Sequence, residues 1–219
     1  MDFFDLPKRT KVGRVIPKNH FDTYTNSKQK KQFTDYILRI TWTNKLSSEI
    51  INLDFKEIRE IEVFKVELKE KIDIPGILEI INKTIPYHII SWIEFNEQAY
   101  ISTAAKHPHP ANEDLSVIDW TFTSNWFNRG RSPYQLNLKG NMDAVYKDFC
   151  LQLAGRMNYG GLPWDQIIGY LREADVIKKE ISTLEKQIKK CNQFNEKVRL
   201  NIQTKDLEKR LNEILKKAN

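Results

Sequence analysis

Along the first part of the chain, apolar residues recur with periods that change between helix and strand. In residues 28–40, Phe33, Ile37 and Ile40 fall at helical spacing, which predicts an amphipathic helix. Residues 60–69 then alternate largely between apolar and charged side chains, which predicts the strongest strand of the chain. This part of the protein is therefore expected to combine helices with a sheet.

The remaining predicted elements of this part follow at short intervals. They are a helix opened by Pro75 and closed by Pro86, strands at His88–Phe95, 99–105 and 117–123, and a helix at Met142–Leu153. A hairpin combined with crossover helices is typical of an α+β fold with a mixed sheet and packed helices. We therefore predict a mixed α/β domain over residues 1–157, with residues 1–27 as an extended basic lead-in and 106–110 as a loop.

A helical arm, residues 164–219, is predicted after a Gly/Pro hinge at 158–163. Its apolar residues form two series at steps of three and four, out of register with each other, so one straight seam cannot serve both. Either the arm is an α-helical hairpin that turns near residues 191–195, or it is a coiled coil with a discontinuity, its seams pairing within one chain or between two. The two series are Ile177, Ile181, Leu184, Ile188 and Cys191, then Leu200, Thr204, Leu207, Leu211 and Ile214.

Charge is distributed unevenly along the chain. The total is +6, and residues 176–219 alone hold 12 basic against 6 acidic side chains. Residues 1–31 hold 8 basic against 3 acidic side chains, so an acidic body lies between two basic ends. Basic ends favour phosphate backbones or acidic protein surfaces, although charged residues also simply solvate the outside of a helix. The candidate nucleic-acid-binding residues of the arm are Lys189, Lys190, Lys197 and Arg199.

The beginning of the chain favours a cytoplasmic protein. Asp2 and Asp5 stand where a secretory signal carries basic residues, and no apolar run approaches the roughly 20 residues needed to cross a bilayer. The two cysteines are expected to be reduced thiols. No cofactor is predicted.

One short motif indicates metal-dependent chemistry. Glu67-Leu68-Lys69 ends the predicted strand, and Asp54 lies upstream; an acid followed by Glu-x-Lys is how many nucleases hold a divalent cation and place a lysine beside the attacking water. The tripeptide resembles part of the PD-(D/E)XK nuclease motif, but Leu53 replaces the usual proline. The alternative is that Glu67 and Lys69 are solvent-side charges in cross-strand pairs.

Two further segments have a functional and a structural interpretation. His107 and His109, with Glu113 or Asp114, could bind a metal, but a structural or partner-contacting loop is favoured, so no metal site is predicted. The aromatic segment around Trp126 and Phe127, followed by two arginines, could stack on bases or form a protein-binding patch, or it could pack in the core.

Partner binding is predicted mainly for the arm. The candidate residues are those of the two seams, together with Asn195, which either caps a helix or fixes the register with a partner from a seam position. Trp126 and Phe127 complete the set. The predicted partner-binding residues are Ile177, Ile181, Leu184, Ile188, Asn195, Leu200, Leu207, Leu211, Trp126 and Phe127.

Several of these segments together resemble a bacterial family, domain of unknown function family 4391. The resembling stretches are IPK at 16–18, ITWTNKLS at 40–47, ELK at 67–69, IPY at 85–87, AKH at 105–107 and QFNEKVRLN at 193–201. Members of that family are often encoded beside helicases and DNA methyltransferases of restriction-like, anti-phage systems. The resemblance implies an accessory subunit of such a system and supplies no catalytic residue.

The sequence therefore predicts a non-catalytic accessory or adaptor subunit that binds larger protein partners, a helicase or a DNA methyltransferase, with DNA as a further candidate partner. Self-association through the arm is a further possibility. The alternative is a metal-dependent nuclease of PD-(D/E)XK type that uses Asp54, Glu67 and Lys69.

Overall fold

A computed structural model describes residues 4–155 and 162–217 of the 219-residue chain. The chain divides into two compact units, Met1–Gly155 and Arg156–Asn219. Most of the predicted hinge, residues 158–161, lies outside the described residues.

The first unit is built on a mixed sheet of seven strands among the described residues, in the order β1-β2-β3-β4-β5-β6, with β7 pairing with β5. All neighbouring strands are antiparallel except β3 and β4, which are parallel. The strands are β1 (Lys11–Ile16), β2 (Ile37–Ser47), β3 (Glu60–Leu68), β4 (His88–Phe95), β5 (Gln98–His109), β6 (Asn112–Thr123) and β7 (Phe127–Asn128). The predicted α+β fold with a mixed sheet is confirmed.

Four α-helices accompany the sheet in the described part of this unit: α1 (Ser27–Tyr36), α2 (Ser48–Ile51), α3 (Pro75–Thr84) and α4 (Met142–Leu153). Helix α3 connects the parallel pair β3 and β4, which an antiparallel turn could not join. Pro75 occupies its first turn, where a missing backbone N–H is tolerated. The sheet thus has one parallel step at its centre, between two antiparallel halves.

The apolar core lies on the α3 side of the sheet. Phe64, Val66 and Leu68 of β3 pack there with Ile77 and Ile81 of α3. Fully burying an aliphatic or aromatic side chain contributes about 1.5–3 kcal/mol, so this cluster fixes α3 on the sheet.

The opposite side of the sheet carries buried aromatic rings. Trp92 of β4 is completely buried, as is Phe149 of α4. The Tyr146 hydroxyl of α4 lies 2.6 Å from the hydroxyl of Thr103 on β5 and donates to the carbonyl of Ala104 at 2.8 Å. These contacts place α4 on this side of the sheet.

Three local predictions need correction. Helix α1 ends at Tyr36, and Ile37 and Ile40 belong to β2, where both are fully buried in the sheet core. The lead-in is not simply extended, because it contains 3-10 helices at Lys8–Thr10 and Lys18–Tyr24 and the edge strand β1. The predicted loop at 106–110 lies largely within β5, which continues to His109.

The second unit contains two long helices, α5 (Trp164–Lys190) and α6 (Phe194–Lys217), that pack together. Three residues, 191–193, connect them, so the helices form an antiparallel hairpin. Ala174 and Ile177 of α5 pack with Ile214 of α6, supported by partly buried neighbours such as Leu207. The two out-of-register series are therefore the two sides of one hairpin seam.

Among the residues that the structure describes, none of the helices is both long enough and apolar enough to cross a membrane.

Candidate functional site

Two carboxylates lie side by side where the parallel strands end. The register of β3 and β4 pairs Glu67 with Glu94, and Lys65 precedes Glu67 by two residues, so that all three side chains lie on one face. The Lys65 ammonium lies 3.2 Å from Glu67 Oε1 and 3.5 Å from Glu94 Oε1. One lysine therefore bridges two acids that would otherwise repel each other.

Cations from two other strands complete this network. Arg39 of β2 stands opposite Glu67 and donates two hydrogen bonds to its carboxylate, at 2.5 and 2.9 Å. Arg129, just after β7, has a guanidinium nitrogen 3.8 Å from Glu94. Hydrogen bonding from Arg39, followed by that from Lys65, holds the pKa of Glu67 below its usual value despite partial burial. Glu67 is therefore an ionised, fully engaged carboxylate.

These residues border a cavity of about 800 Å³ on the same side of the sheet. Its lining combines the lead-in with β1, β2, β3, β4 and the segment after β7. Five of the lining side chains are basic, and we call this space the basic cavity. The basic lining residues are Lys8, Lys11, Arg39, Lys65 and Arg129. The basic lead-in that the sequence showed thus contributes two lysines to one concave surface.

The three residues of the nuclease hypothesis are not brought together. The carbonyl of Asp54 accepts a hydrogen bond from the backbone of Met142 at 2.8 Å, and the carboxylate of the next residue, Asp143, binds the backbone of residues 56–58. Asp54 is thereby held near the start of β3, whereas Glu67 lies seven residues beyond Glu60, roughly 23 Å along the strand.

Lys69 has a hydrogen-bond partner of its own in α1. Its ammonium donates to the carbonyl of Thr34 in α1 at 2.6 Å. Across residues 4–155 and 162–217, no group of three or more His, Cys, Asp or Glu side chains is placed to hold a metal ion. The contacts of Asp54, Glu67 and Lys69 in the described part of the chain therefore give no support for a shared metal site.

A second polar network lies enclosed on the opposite face of β3, where the strand begins. Glu60, Glu62 and Lys106 are each at least nine-tenths buried. The Lys106 ammonium donates to the carbonyls of Asn82 at 2.7 Å and of Ile85 at 2.5 Å. Lys45 of β2 forms a 2.6 Å ion pair with Glu60.

Burial changes the ionisation of this second network. Burial, together with the adjacent Glu60, raises the pKa of Glu62 to about 8. Burial also lowers the pKa of Lys106 to about 7, opposed by the attraction of Glu62. One oxygen of Glu60, Oε1, has no hydrogen-bond partner among the residues that the structure describes. The network therefore belongs to the interior and supports the fold at a considerable desolvation cost.

The seam residues, which are the candidates for partner binding, pack within the hairpin. Ile177 and Leu200 are buried, because apolar faces of two antiparallel helices cover each other. The other predicted seam positions are partly buried: Ile181, Leu184, Ile188, Leu207 and Leu211. Asn195 is exposed in the first turn of α6, outside the seam.

The turn of the hairpin presents both basic and apolar side chains to solvent. Lys189 and Lys190 end α5, and Lys197 and Arg199 lie in the first two turns of α6; all four are exposed. Arg199 forms a bidentate ion pair with Glu196, at 2.9 and 2.6 Å. The structure thus brings together these four predicted nucleic-acid-binding residues near one end of the hairpin.

An apolar row lies beside these cations on α6. Phe194, Val198 and Ile202 follow each other at steps of four residues, so they share one face of the helix. Their exposed fractions are 79%, 42% and 56%. We call this row, with Lys189, Lys190 and Lys197, the hairpin tip. It was missed from the sequence because Val198 and Ile202 also fit an extension of the first seam series.

Trp126 and Phe127 are half-buried and engaged within the first unit. The Trp126 ring packs edge-on against Tyr100, with centroids 4.8 Å apart, and its indole N–H donates to Asp73 at 2.7 Å. The Phe127 ring packs against Trp92 at 5.4 Å. Their contacts are those of core and edge packing, which the sequence had left as one of three interpretations.

The two histidines also have separate partners. His107 Nδ1 lies 2.8 Å from the Asp119 carboxylate, and His109 Nδ1 accepts a hydrogen bond from the backbone of Ala111. Each ring nitrogen named here is therefore engaged by a group of the chain itself, Asp119 for His107 and the backbone of Ala111 for His109.

Sequence reasoning missed Arg39, Lys65, Glu94 and Arg129 as members of one network. A signal was available in β4, whose residues His88–Phe95 are otherwise largely apolar and yet include Glu94. A carboxylate in a strand with that burial requires a cation, and the neighbouring strand offers Lys65. What the sequence could not supply was the register that brings them together.

The comparisons with known proteins give a family and no function. Neither a curated protein nor a solved structure shows significant similarity to the chain. The sequence pattern of the domain of unknown function DUF4391 matches residues 4–211, which is nearly the whole chain. The two units and the networks described above are therefore those of a member of this family, to which the chain belongs.

Proposed function

We propose that the protein is a non-catalytic accessory subunit of a bacterial restriction-like or anti-phage defence assembly, acting in the cytoplasm. Its role is to bind a larger protein partner, such as a helicase or a DNA methyltransferase, through the hairpin tip. The observation that carries the proposal is the exposed row Phe194, Val198 and Ile202 among lysines, on a hairpin whose own seam is already filled.

The tip is a better candidate for docking than the seam. The seam residues Ile177 and Leu200 cover each other's helices, and a partner would have to separate α5 from α6 to reach them. Phe194, by contrast, exposes most of its side chain next to the turn. Aromatic side chains are enriched among the residues that dominate binding energy at interfaces. Phe194 is therefore the expected anchor.

The chemistry of the partner surface follows from the neighbours of this anchor. Three apolar side chains at steps of four fit a groove of comparable length, as an amphipathic helix does. Lys189, Lys190 and Lys197 flank the row, and opposite charge at the rim of an interface steers association. The partner is expected to offer an apolar groove with an acidic rim.

The alternative of metal-dependent cleavage has less support. Glu67 would be needed as a metal ligand, but Arg39 and Lys65 already neutralise it. The backbone carbonyl of Asp54 is bound by Met142 of α4, and the Lys69 ammonium is bound to the carbonyl of Thr34 in α1. A metal ion would have to displace two cations and recruit ligands from a distance.

Co-purification of the 219-residue chain with a helicase or a DNA methyltransferase of such an assembly tests the proposal. Phe194→Ala combined with Ile202→Ala should weaken capture at least about tenfold, since each truncated anchor costs 1 kcal/mol or more. Val176→Ala is the matched control, because Val176 is also exposed, at 54%, but lies on α5 away from the turn. It should leave capture unchanged.

Two results would contradict the proposal. Capture of neither partner by the wild-type chain would remove its basis. Equal capture by the wild type and by the Phe194→Ala, Ile202→Ala variant would exclude the hairpin tip as the docking surface.

A further inference from the structure

The basic cavity belongs to the first unit and has a charge balance that the docking proposal does not use. Five basic side chains line it, whereas the nearby carboxylates are Glu94 in the lining, Glu67 beneath Arg39, and Glu97, which pairs with Arg129 at 3.0 Å. Positive charge exceeds negative charge by two among these groups, which lie in or beside a concave surface. Such a surface concentrates field lines and attracts anions.

The cations divide into two groups with different roles. Arg39, Lys65 and Arg129 are held in place by the two adjacent carboxylates. Lys8 and Lys11 are exposed, and neither forms an ion pair within the described parts of the chain. The first group supplies fixed charges at the floor of the cavity, and the second supplies free ammonium groups at its edge.

The arginines retain capacity for a further anion. The Arg39 side chain is 53% exposed although it binds Glu67 through Nε and one terminal nitrogen. A guanidinium has five N–H donors in a planar fork, so N–H groups remain for a second partner. Neutral hydrogen-bonding groups, Thr41, Thr43 and Asn44, lie between the cations along β2.

The basic side chains of the cavity are spread over a considerable distance along β2. Lys11 pairs with Asn44 on β2, and Arg39 lies five residues away on the same strand, which corresponds to roughly 17 Å. One free phosphate or carboxylate would engage only one end of this row. A chain of phosphates would engage the row throughout, as in proteins whose basic groove follows a nucleic-acid backbone.

We propose that the basic cavity binds the phosphate backbone of a single nucleic-acid strand. Lys8 and Lys11 form ion pairs with phosphates at the edge of the cavity, and Arg39 and Arg129 contact phosphates at its floor. The described residues of its lining supply charges, hydroxyls and an amide beside the apolar Leu6, Pro7 and Val15, and none of them is aromatic. Recognition is therefore expected to be independent of base sequence. This site is separate from the hairpin tip and does not depend on partner docking.

Fluorescence anisotropy with a labelled oligonucleotide of about 12 nucleotides tests the site in the full-length protein. Lys8→Glu combined with Lys11→Glu should weaken binding about tenfold or more. It should also reduce the slope of log affinity against log salt by about 1.4, because two phosphate contacts are lost and each contributes about 0.7 on a single strand. The neutral pair Lys8→Gln, Lys11→Gln should lie between this variant and the wild type.

The matched control reverses the same number of charges elsewhere. Lys28 and Lys31 are exposed lysines at the start of α1 and do not line the cavity. Lys28→Glu combined with Lys31→Glu should change affinity less than about threefold and leave the salt slope near that of the wild type. A similar loss in both double variants would show binding through overall charge and would overturn the site.

Competition distinguishes the sources of phosphate. An unlabelled oligonucleotide should displace the probe at far lower phosphate concentration than adenosine monophosphate or inorganic phosphate does. Equal competition per phosphate by the mononucleotide would overturn a strand in favour of a free nucleotide, and stronger competition by polyglutamate would overturn it in favour of an acidic peptide. Lys189→Glu with Lys190→Glu, at the hairpin tip, should bind the probe as the control variant does.

Discussion

Strand β3 carries two charged networks, and their contrast is informative about how this protein uses charge. On one face, Glu67 and Lys65 meet Arg39 and Glu94 beside an open cavity. On the other face, Glu62 lies with Lys106 in the interior. Alternating residues of a strand point to opposite faces, so a shift of only a few residues separates the two environments.

The difference lies in what satisfies the charges. The open network is ionised and paired, and solvent reaches Arg39 and Arg129, so its cations can exchange partners with a ligand. The enclosed network must be satisfied from within, through the carbonyls of Asn82 and Ile85. Its pKa values are shifted toward neutral forms because burial penalises charge. The first network is therefore suited to binding and the second to holding the fold.

Removal of the enclosed lysine should produce the largest effect on stability. Lys106→Met leaves two buried carbonyls and Glu62 without their partner, and we expect a loss of about 3 kcal/mol in the free energy of unfolding. Chemical denaturation measures it. Lys83→Met is the control, because Lys83 forms an exposed pair with Glu79, and it should cost less than about 0.5 kcal/mol. Equal losses in the two variants would show that Lys106 is not part of an essential network.

The next largest effect should be on the pH dependence of stability, through the buried carboxylate of Glu62. The pKa of Glu62 is raised to about 8 in the folded protein, so between about pH 5 and 8 the folded state binds more protons than the unfolded state. Wild-type stability should therefore fall, relative to Glu62→Gln, as pH rises through this window.

The slope of that relative loss should approach about 1.4 kcal/mol per pH unit in the middle of the window. Denaturation of both proteins across pH 5–8 provides the measurement, and the comparison removes contributions from groups that do not interact with Glu62. A pH-independent difference would mean that Glu62 is ionised throughout.

The open network should give the smallest effect on stability. Glu67→Gln retains the shape of the side chain and removes one charge from a partly exposed ion pair with Arg39, and we expect a loss of about 1 kcal/mol or less. Thermal or chemical denaturation checks it against Lys106→Met. A loss as large as that of Lys106→Met would remove the distinction between the two faces of β3.

The sequence anticipated the architecture better than the site. Helical periodicity identified α3 and α4, and the out-of-register series of the arm indicated the hairpin, because seam residues such as Ile177 and Leu207 must be covered in pairs. Helical periodicity also placed Ile37 and Ile40 in a helix, because together with Phe33 they fit the spacing i, i+4 and i+7. In the structure both residues belong to β2. Burial of both side chains in the sheet core, which depends on residues distant in sequence, favoured the strand over the helix.

The site depended on information that local patterns lack. Glu67 attracted attention as part of Glu-x-Lys, but its meaning was set by Arg39 on β2 and Glu94 on β4, which are distant in sequence. Lys8 and Lys11 were recognised as part of a basic lead-in, and only the pairing of β1 with β2 places them at the cavity. Composition predicted the excess of basic residues in the lead-in, and the strand pairing located Lys8 and Lys11 at the basic cavity.

The central claim is that this protein binds and does not cleave, with Glu67 as the partner of cations. Incubating the full-length wild type and Glu67→Gln with a labelled oligonucleotide and Mg²⁺ or Mn²⁺, then separating products by length, tests it most directly. We predict intact oligonucleotide with both proteins and both metals. Metal-dependent cleavage by the wild type that disappears in Glu67→Gln would contradict the account.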